Sequence, residues 1–283
     1  MGATGLESGI KISGLKPGIK SGRSLSQMKG GVLSGLSNGI MNHRNMQDPA
    51  LLIGSKAPLV YWNAESCVVN ASNNVTSVSN IIKTSAETLV VSSDPNRVLG
   101  DVYGGKGGIV FDSTDFIGTS AVGVNKTEST VIVVAKPDSV SGAYIFNSIW
   151  SSFSTVGDFW ITANTGILTC QFLGDPTTNT VIINSYPLNS DDYHIITLKM
   201  RLTKDGRDAL ELFVNGAKHS NYTSNTFTAG ATFQDANVRF GGNSSQTLGG
   251  NSIAAGLVFD YYLENHEQLR IENYLRWYYG RNF

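Results

Sequence analysis

Carboxylates, histidines and clustered aromatics are the side chains of this sequence that could do chemistry. A retaining sugar hydrolase needs two carboxylates about 5 Å apart, and a strand would supply them at i and i+2 or i+4 on one face. No Glu-x-Asp-x-x-Glu strand occurs. Glu211 stands alone among apolar neighbours in Ala209-Leu210-Glu211-Leu212-Phe213-Val214, and Asp191, Asp192, Asp205 and Asp208 fall in turn-like stretches. The four histidines, His43, His194, His219 and His266, form no paired metal motif, and His194 heads a strand, where a structural role is the commoner one. There is no Gly-x-Ser-x-Gly elbow and no phosphate-binding loop. No catalysis, metal or cofactor is therefore expected. A calcium ion would have only Asp/Asn loops such as Asp112–Asp115 or the one at Asn243, neither with an EF-hand pattern. The aromatics offer more. Trp150, Phe153, Phe159 and Trp160 gather around a Ser/Gly-rich segment. Aromatic faces stack on sugar rings while nearby amides and carboxylates take the hydroxyls, so these four are the candidate glycan rim. Sandwich core is the competing reading, and the commoner fate of such residues.

The elements that would position these groups begin only after residue 50. Of the 283 residues, 15% are charged and 41% hydrophobic, with 31 Gly and a net charge of −1. This is globular composition, rich in Ser, Thr and Asn, and nucleic acid is not expected as a partner of the whole chain. Residues 1–48 differ: six basic groups (Lys11, Lys16, Lys20, Arg23, Lys29, Arg44) face two acidic ones (Glu7, Asp48). Gly-Leu-x-x-Gly-Ile occurs there three times, pairing Leu6 with Ile10, Leu15 with Ile19 and Leu36 with Ile40. Two aliphatic side chains between glycines cannot offset the ordering entropy of so flexible a backbone. Against a host surface, each pair could fill a groove. Residues 1–48 are thus expected to be an extended anchoring arm, 49–57 a linker, and 58–283 a folded domain. The N-terminus has no apolar segment of the secretory kind, and no stretch reaches membrane-spanning length. Cys67 and Cys170 are expected to be buried thiols, with a single disulfide between them left open.

From Pro58 onward, short apolar runs recur between Gly, Asn and Asp turns. Ser129-Thr130-Val131-Ile132-Val133-Val134-Ala135 is nearly all β-branched, as in a strand buried on both faces. Tyr193–Leu202 and Ala209–Val214 alternate, the latter ending on the hairpin pair Asn215-Gly216. The spacing predicts an all-β antiparallel sandwich. One helix follows, predicted to be capped by Asn265 with Gln268 three residues on, to share a face of Ile271, Leu275 and Tyr278, and to stop at Gly280. Leu275 and Trp277 are both expected to pack on the sandwich.

The order of segments resembles the laminin-G-like jelly roll of the concanavalin A-like lectin/glucanase superfamily, in the variant common in bacteriophage and bacterial surface proteins. The resemblance rests on Val60-Tyr61-Trp62-Asn63-Ala64, Gly107-Gly108-Ile109-Val110-Phe111-Asp112 with Asp115-Phe116, and Thr130-Val131-Ile132-Val133-Val134-Ala135-Lys136-Pro137. It continues in Tyr193-His194-Ile195, Leu212-Phe213-Val214-Asn215-Gly216, Phe240-Gly241-Gly242, Ile253-Ala254 and the tail from Glu272 to Gly280. Relatives often carry Glu after the Ile-Ala pair, where this chain has Ala255-Gly256. The resemblance implies a jelly roll and no particular activity. It suggests a virion structural protein, assembled in the host cytoplasm as a homo-oligomer. The arm would bind other virion proteins, and the domain would be displayed toward host glycans. The rivals are a lectin or adhesin outside a virion, and a polysaccharide hydrolase or lyase.

Overall fold

The computed structural model of the protein describes residues 46–280, outside the segments 53–56, 83–87, 93–94, 103–105, 112–114, 120–126, 138–142, 149–158, 165–166, 176–178, 188–191, 231–232, 234–237 and 242–250. The anchoring pairs Leu6/Ile10, Leu15/Ile19 and Leu36/Ile40, the rim residues Trp150 and Phe153, and the loop positions Asp112 and Asn243 lie outside the described residues. The chain divides into Met1–Arg44 and Asn45–Phe283, and the described residues all belong to the second unit.

That unit is the all-β sandwich the spacing predicts. The first sheet runs β15 (Ala217–His219), β14 (Leu210–Val214), β13 (His194–Arg201), β8 (Glu128–Lys136), β18 (Asn251–Phe259), β6 (Lys106–Phe111) and β5 (Asn96–Val102), with β1 (Val60–Asn63) also paired to β18. The second runs β16 (Tyr222–Asn225), β12 (Asn179–Pro187), β11 (Ile167–Asp175), β10 (Phe159–Asn164), β9 (Ala143–Ser148), β17 (Val238–Gly241), β7 (Phe116–Thr119) and β4 (Leu89–Ser92). A small hairpin joins β2 (Cys67–Val69) to β3 (Val75–Val78).

Period-two alternation turns one set of side chains from each sheet into a shared core. Val131, Val133, Ile196, Leu198 and Met200 from the first sheet meet Phe159, Ile161, Cys170 and Phe172 from the second. The other face of the first sheet is apolar too. Ile132, Val134, Ile195 and Leu257 pack under helix α1 (Asn265–Tyr278) against Ile271, Leu275 and Tyr279. That second layer explains why β8 reads as an unbroken β-branched run: both its faces are dry. Asn215 and Gly216 both take positive φ, 53° and 83°, and close the β14–β15 hairpin as a type I′ pair does. Both cysteines are buried and no disulfide joins them, so that alternative does not hold; the Cys67 thiol donates to Asn63 C=O at 3.5 Å.

Trp62 is fully buried and lies opposite Gly256 in the β1–β18 pairing. A Cβ on Gly256 would stand 2.3 Å from the Phe240 ring and 2.6 Å from the Trp62 indole nitrogen. The absent side chain is therefore the space the indole occupies.

The helix begins one residue earlier than its sequence signals suggest. Glu264 is the N-cap, and its backbone N–H donates to the Glu267 carboxylate at 3.0 Å. Asn265 does not cap, because its side-chain oxygen accepts instead from the Lys199 ammonium at 2.7 Å. Gly280, at φ 66°, ends the helix as expected. The chain before β1 is bound to the helix as well: Gln47 N–H donates to Arg270 C=O at 3.0 Å, and Leu52 packs on the outer layer.

Part of the helix–sheet seam is polar, which the hydrophobic pattern does not show. Thr197 and Lys199 follow Ile195 on the outer face of β13 and are completely buried. Lys199 also lies 3.6 Å from the Glu211 carboxylate and over the rings of Phe213 and Tyr262. Loss of water pushes its pKa down, against the pull of Glu211. Glu272, fully buried on the facing side of α1, accepts from Thr197 Oγ1 and Gln268 Nε2, both at 2.8 Å, and lies 3.4 Å from Arg276. Burial raises its pKa above the ordinary 4.5, outweighing those donors and the charges of Arg276 and Lys199. Between pH 4.5 and that raised value the folded chain therefore binds the Glu272 proton more tightly than the unfolded chain does. The stability this confers is complete below pH 4.5 and is lost as pH rises through the raised value. Glu272→Gln keeps an acceptor for Thr197 but cannot ionise. Its melting temperature is expected to fall less than that of the parent as pH climbs from 4.5 to neutrality. The parent's extra slope is limited to about 1.4 kcal/mol per pH unit, the value for one proton. Parallel melting curves for the two proteins across that window would contradict this account.

Candidate glycan-binding surface

Strand β10 separates the aromatic rim predicted from the sequence. Phe159, Ile161 and Ala163 point into the sandwich, while Trp160 and Thr162 point out. Phe159 is 3% exposed and meets Phe233 edge-on at 5.4 Å. It is core, the competing reading of the sequence, because alternation on a strand cannot present two neighbouring residues to one face. Trp160 is half-buried on the outer face of the second sheet.

Register places Trp160 in a row across that face. It is paired with Gln171 on β11 and with Asn147 on β9. Asn147 is paired in turn with Arg239 on β17, and Arg239 with Gly118 on β7. Thr162 and Thr169, also paired, lie beside the row on the same face. The Arg239 guanidinium sits over the Phe116 ring, 4.5 Å from its centroid. A Cβ on Gly118 would come within 3.2 Å of the Phe116 ring and 3.3 Å of Arg239 Cγ, so the glycine makes room for that stack. Burial lowers the pKa of Arg239. The sequence analysis missed Arg239 and Phe116. The alternation of Val238-Arg239-Phe240 holds the signal, since two inward apolar residues leave the arginine facing out.

A groove found among the described residues lies elsewhere, in the layer over the first sheet. Of about 130 Å³, between residues 47–52 and the start of α1, it falls below the roughly 300–1,000 Å³ of small-molecule pockets.

The acids are placed differently from the sequence expectation. Glu211 is not alone among apolar groups: the Tyr262 hydroxyl and the Lys218 ammonium both donate to it. Burial alone would raise its pKa, but the donors Lys218 and Tyr262 and the charges of Lys199 and Lys218 hold it below the ordinary value. A carboxylate kept ionised in this way is poorly suited to act as a general acid. It also sits on the outer face of the first sheet, away from Trp160. His194 is buried, with Nδ1 3.2 Å from the Asn215 amide, as fits a structural histidine. Ala255, which follows the Ile253-Ala254 pair, is fully buried in the layer beneath α1. Among the described residues no group of three or more His, Cys, Asp or Glu could hold a metal ion, and no helix is long and apolar enough to cross a membrane.

No family model matches the chain, and neither does any curated protein. Solved structures do resemble it. The receptor-binding domain of botulinum neurotoxin mosaic serotype C/D superposes with a TM-score of 0.52 at 14% identity, covering 75% of this chain and 49% of that one. The binding domain of botulinum neurotoxin DC, solved in complex with SialylT, gives 0.52 at 13%, covering 75% and 52%. Trypanosoma rangeli sialidase gives 0.56 at 11%, covering 88% of this chain and 39% of that enzyme. The chain spans about half the length of the toxin domains. At such identities the likeness establishes a β-sandwich fold and nothing about its role.

Proposed function

We propose that the protein is a non-catalytic glycan-binding sandwich, carried on a bacteriophage virion by its N-terminal arm. The observation that carries the binding role is Trp160, presented on an open sheet face among Thr162, Thr169 and Gln171. An indole that shares its sheet face with two hydroxyls and an amide suits a sugar ring and its hydroxyls. The fold it shares with a toxin domain solved in complex with SialylT supports the same role. The virion role rests on the three Gly-Leu-x-x-Gly-Ile repeats, which give the arm several weak anchors in place of one strong one. The arm would bind other virion proteins, the protein would be a homo-oligomer, and it would act in the virion without cofactor.

Glycan retention by the full chain is the test of binding. Trp160→Ala should weaken it about tenfold or more, the scale of a lost ring-stacking contact. Glu211→Gln, on the opposite sheet, should leave it intact. Release of reducing sugar from a bacterial polysaccharide, abolished by changing one acid, would replace this reading with the hydrolase. Removal of residues 1–48 should end incorporation into particles. Normal copy number of the truncated chain would leave a lectin without a virion role.

A further inference from the structure

We propose that the outer face of the second sheet takes a carboxylate-bearing saccharide, with a sugar ring on Trp160 and the carboxylate on Arg239. The inference rests on the glycan-binding reading and adds the chemical class of the ligand. Trp160 and Arg239 flank a single strand, β9, in one transverse row, because both are paired with Asn147. At the usual strand separation they stand about 10 Å apart across the sheet, a span that one oligosaccharide can bridge from a stacked ring to a charged substituent.

The guanidinium is the group such a substituent requires. It is planar, always charged, and presents donors in a fork that matches a carboxylate. Here its central carbon lies over the Phe116 ring, 4.5 Å from the centroid, in the room that Gly118 leaves. A side chain already fixed in place loses less freedom on binding than a flexible lysine would. The charge balance of the face points the same way. Among the described outward side chains of β11, β10, β17 and β7 (Ile167, Thr169, Gln171, Trp160, Thr162, Arg239 and Phe116), Arg239 carries the one charge. An anionic ligand meets no like charge among them, and the hydroxyls and amide around Trp160 remain for its neutral ring.

Binding of sialyllactose and of lactose to the full chain tests the inference. Sialyllactose should bind about tenfold or more tightly than lactose, the scale of a charge-assisted hydrogen bond. Arg239→Gln should erase the preference while lactose binding persists, and Arg239→Lys should retain part of it. On the unaltered chain, raised salt should weaken sialyllactose and leave lactose unchanged. That measurement holds even if the variants fold poorly. Equal affinity for the two sugars, a preference indifferent to salt, or one that survives Arg239→Gln in a folded protein overturns the acidic ligand but leaves a glycan site at Trp160. Binding of neither sugar overturns both readings.

Discussion

Trp62→Ala is expected to destabilise the domain by about 3–5 kcal/mol, a large share of the roughly 5–15 kcal/mol that holds a domain folded. The indole is fully buried between the sheets, edge-on to Phe240 at 5.4 Å and to Phe111 at 6.5 Å. Its partner across the β1–β18 ladder is Gly256, which has no side chain to collapse into the void. The cavity therefore stays open, and the cost lies toward the upper end. Trp62→Phe should be much milder. The indole N–H is buried with no hydrogen-bond partner among the described residues, so the smaller ring gives up volume but also removes a donor unsatisfied by them. Urea unfolding of the three proteins reads this directly. Equal midpoints for the Ala and Phe variants would show that the N–H is paired, or that the site relaxes freely.

The C-terminal helix should divide its two large apolar residues sharply. Leu275 is fully buried beneath the helix with Ile271 and Tyr279, so Leu275→Ala should cost about 2–5 kcal/mol. Trp277 is 57% exposed, its ring tilted at 44° to that of Tyr274 with centroids 5.8 Å apart, so Trp277→Ala should change stability by less than about 1 kcal/mol. The sequence analysis expected both to pack on the sandwich, and only Leu275 does. The helix buries positions 268, 271, 272, 275 and 279, and residue 277 falls on the opposite side of that 3.6-residue stripe. A melting temperature that drops as far for Trp277→Ala as for Leu275→Ala would mean that another surface covers this side of the helix.

Local chemistry by itself determined much of this protein. The unbroken β-branched run of β8, the Asn215-Gly216 hairpin and the Gly280 stop each depend on a residue type meeting a backbone requirement that neighbours in sequence suffice to set. The sandwich class follows from such segments repeated at even spacing. The capping of α1 was misread because Asn265 is by residue type the better N-cap candidate than Glu264. The choice was made by Lys199, 66 residues away, whose buried ammonium needs the Asn265 oxygen. Glu211 looked isolated for a similar reason, since Lys199 and Tyr262 reach it from other strands and loops. Glu272 and Gln268 were hidden because a hydrophobic pattern cannot show a polar pair satisfied within a dry layer. The candidate site followed the same rule. Alternation could have removed Phe159 from the rim. Only the order of the strands brought Arg239 within one strand of Trp160, because β17 inserts between β9 and β7 from far along the chain. Sequence settles which way each side chain faces along its own strand. The pairing of strands distant in sequence, fixed by burial of the common core, settles which of them become neighbours.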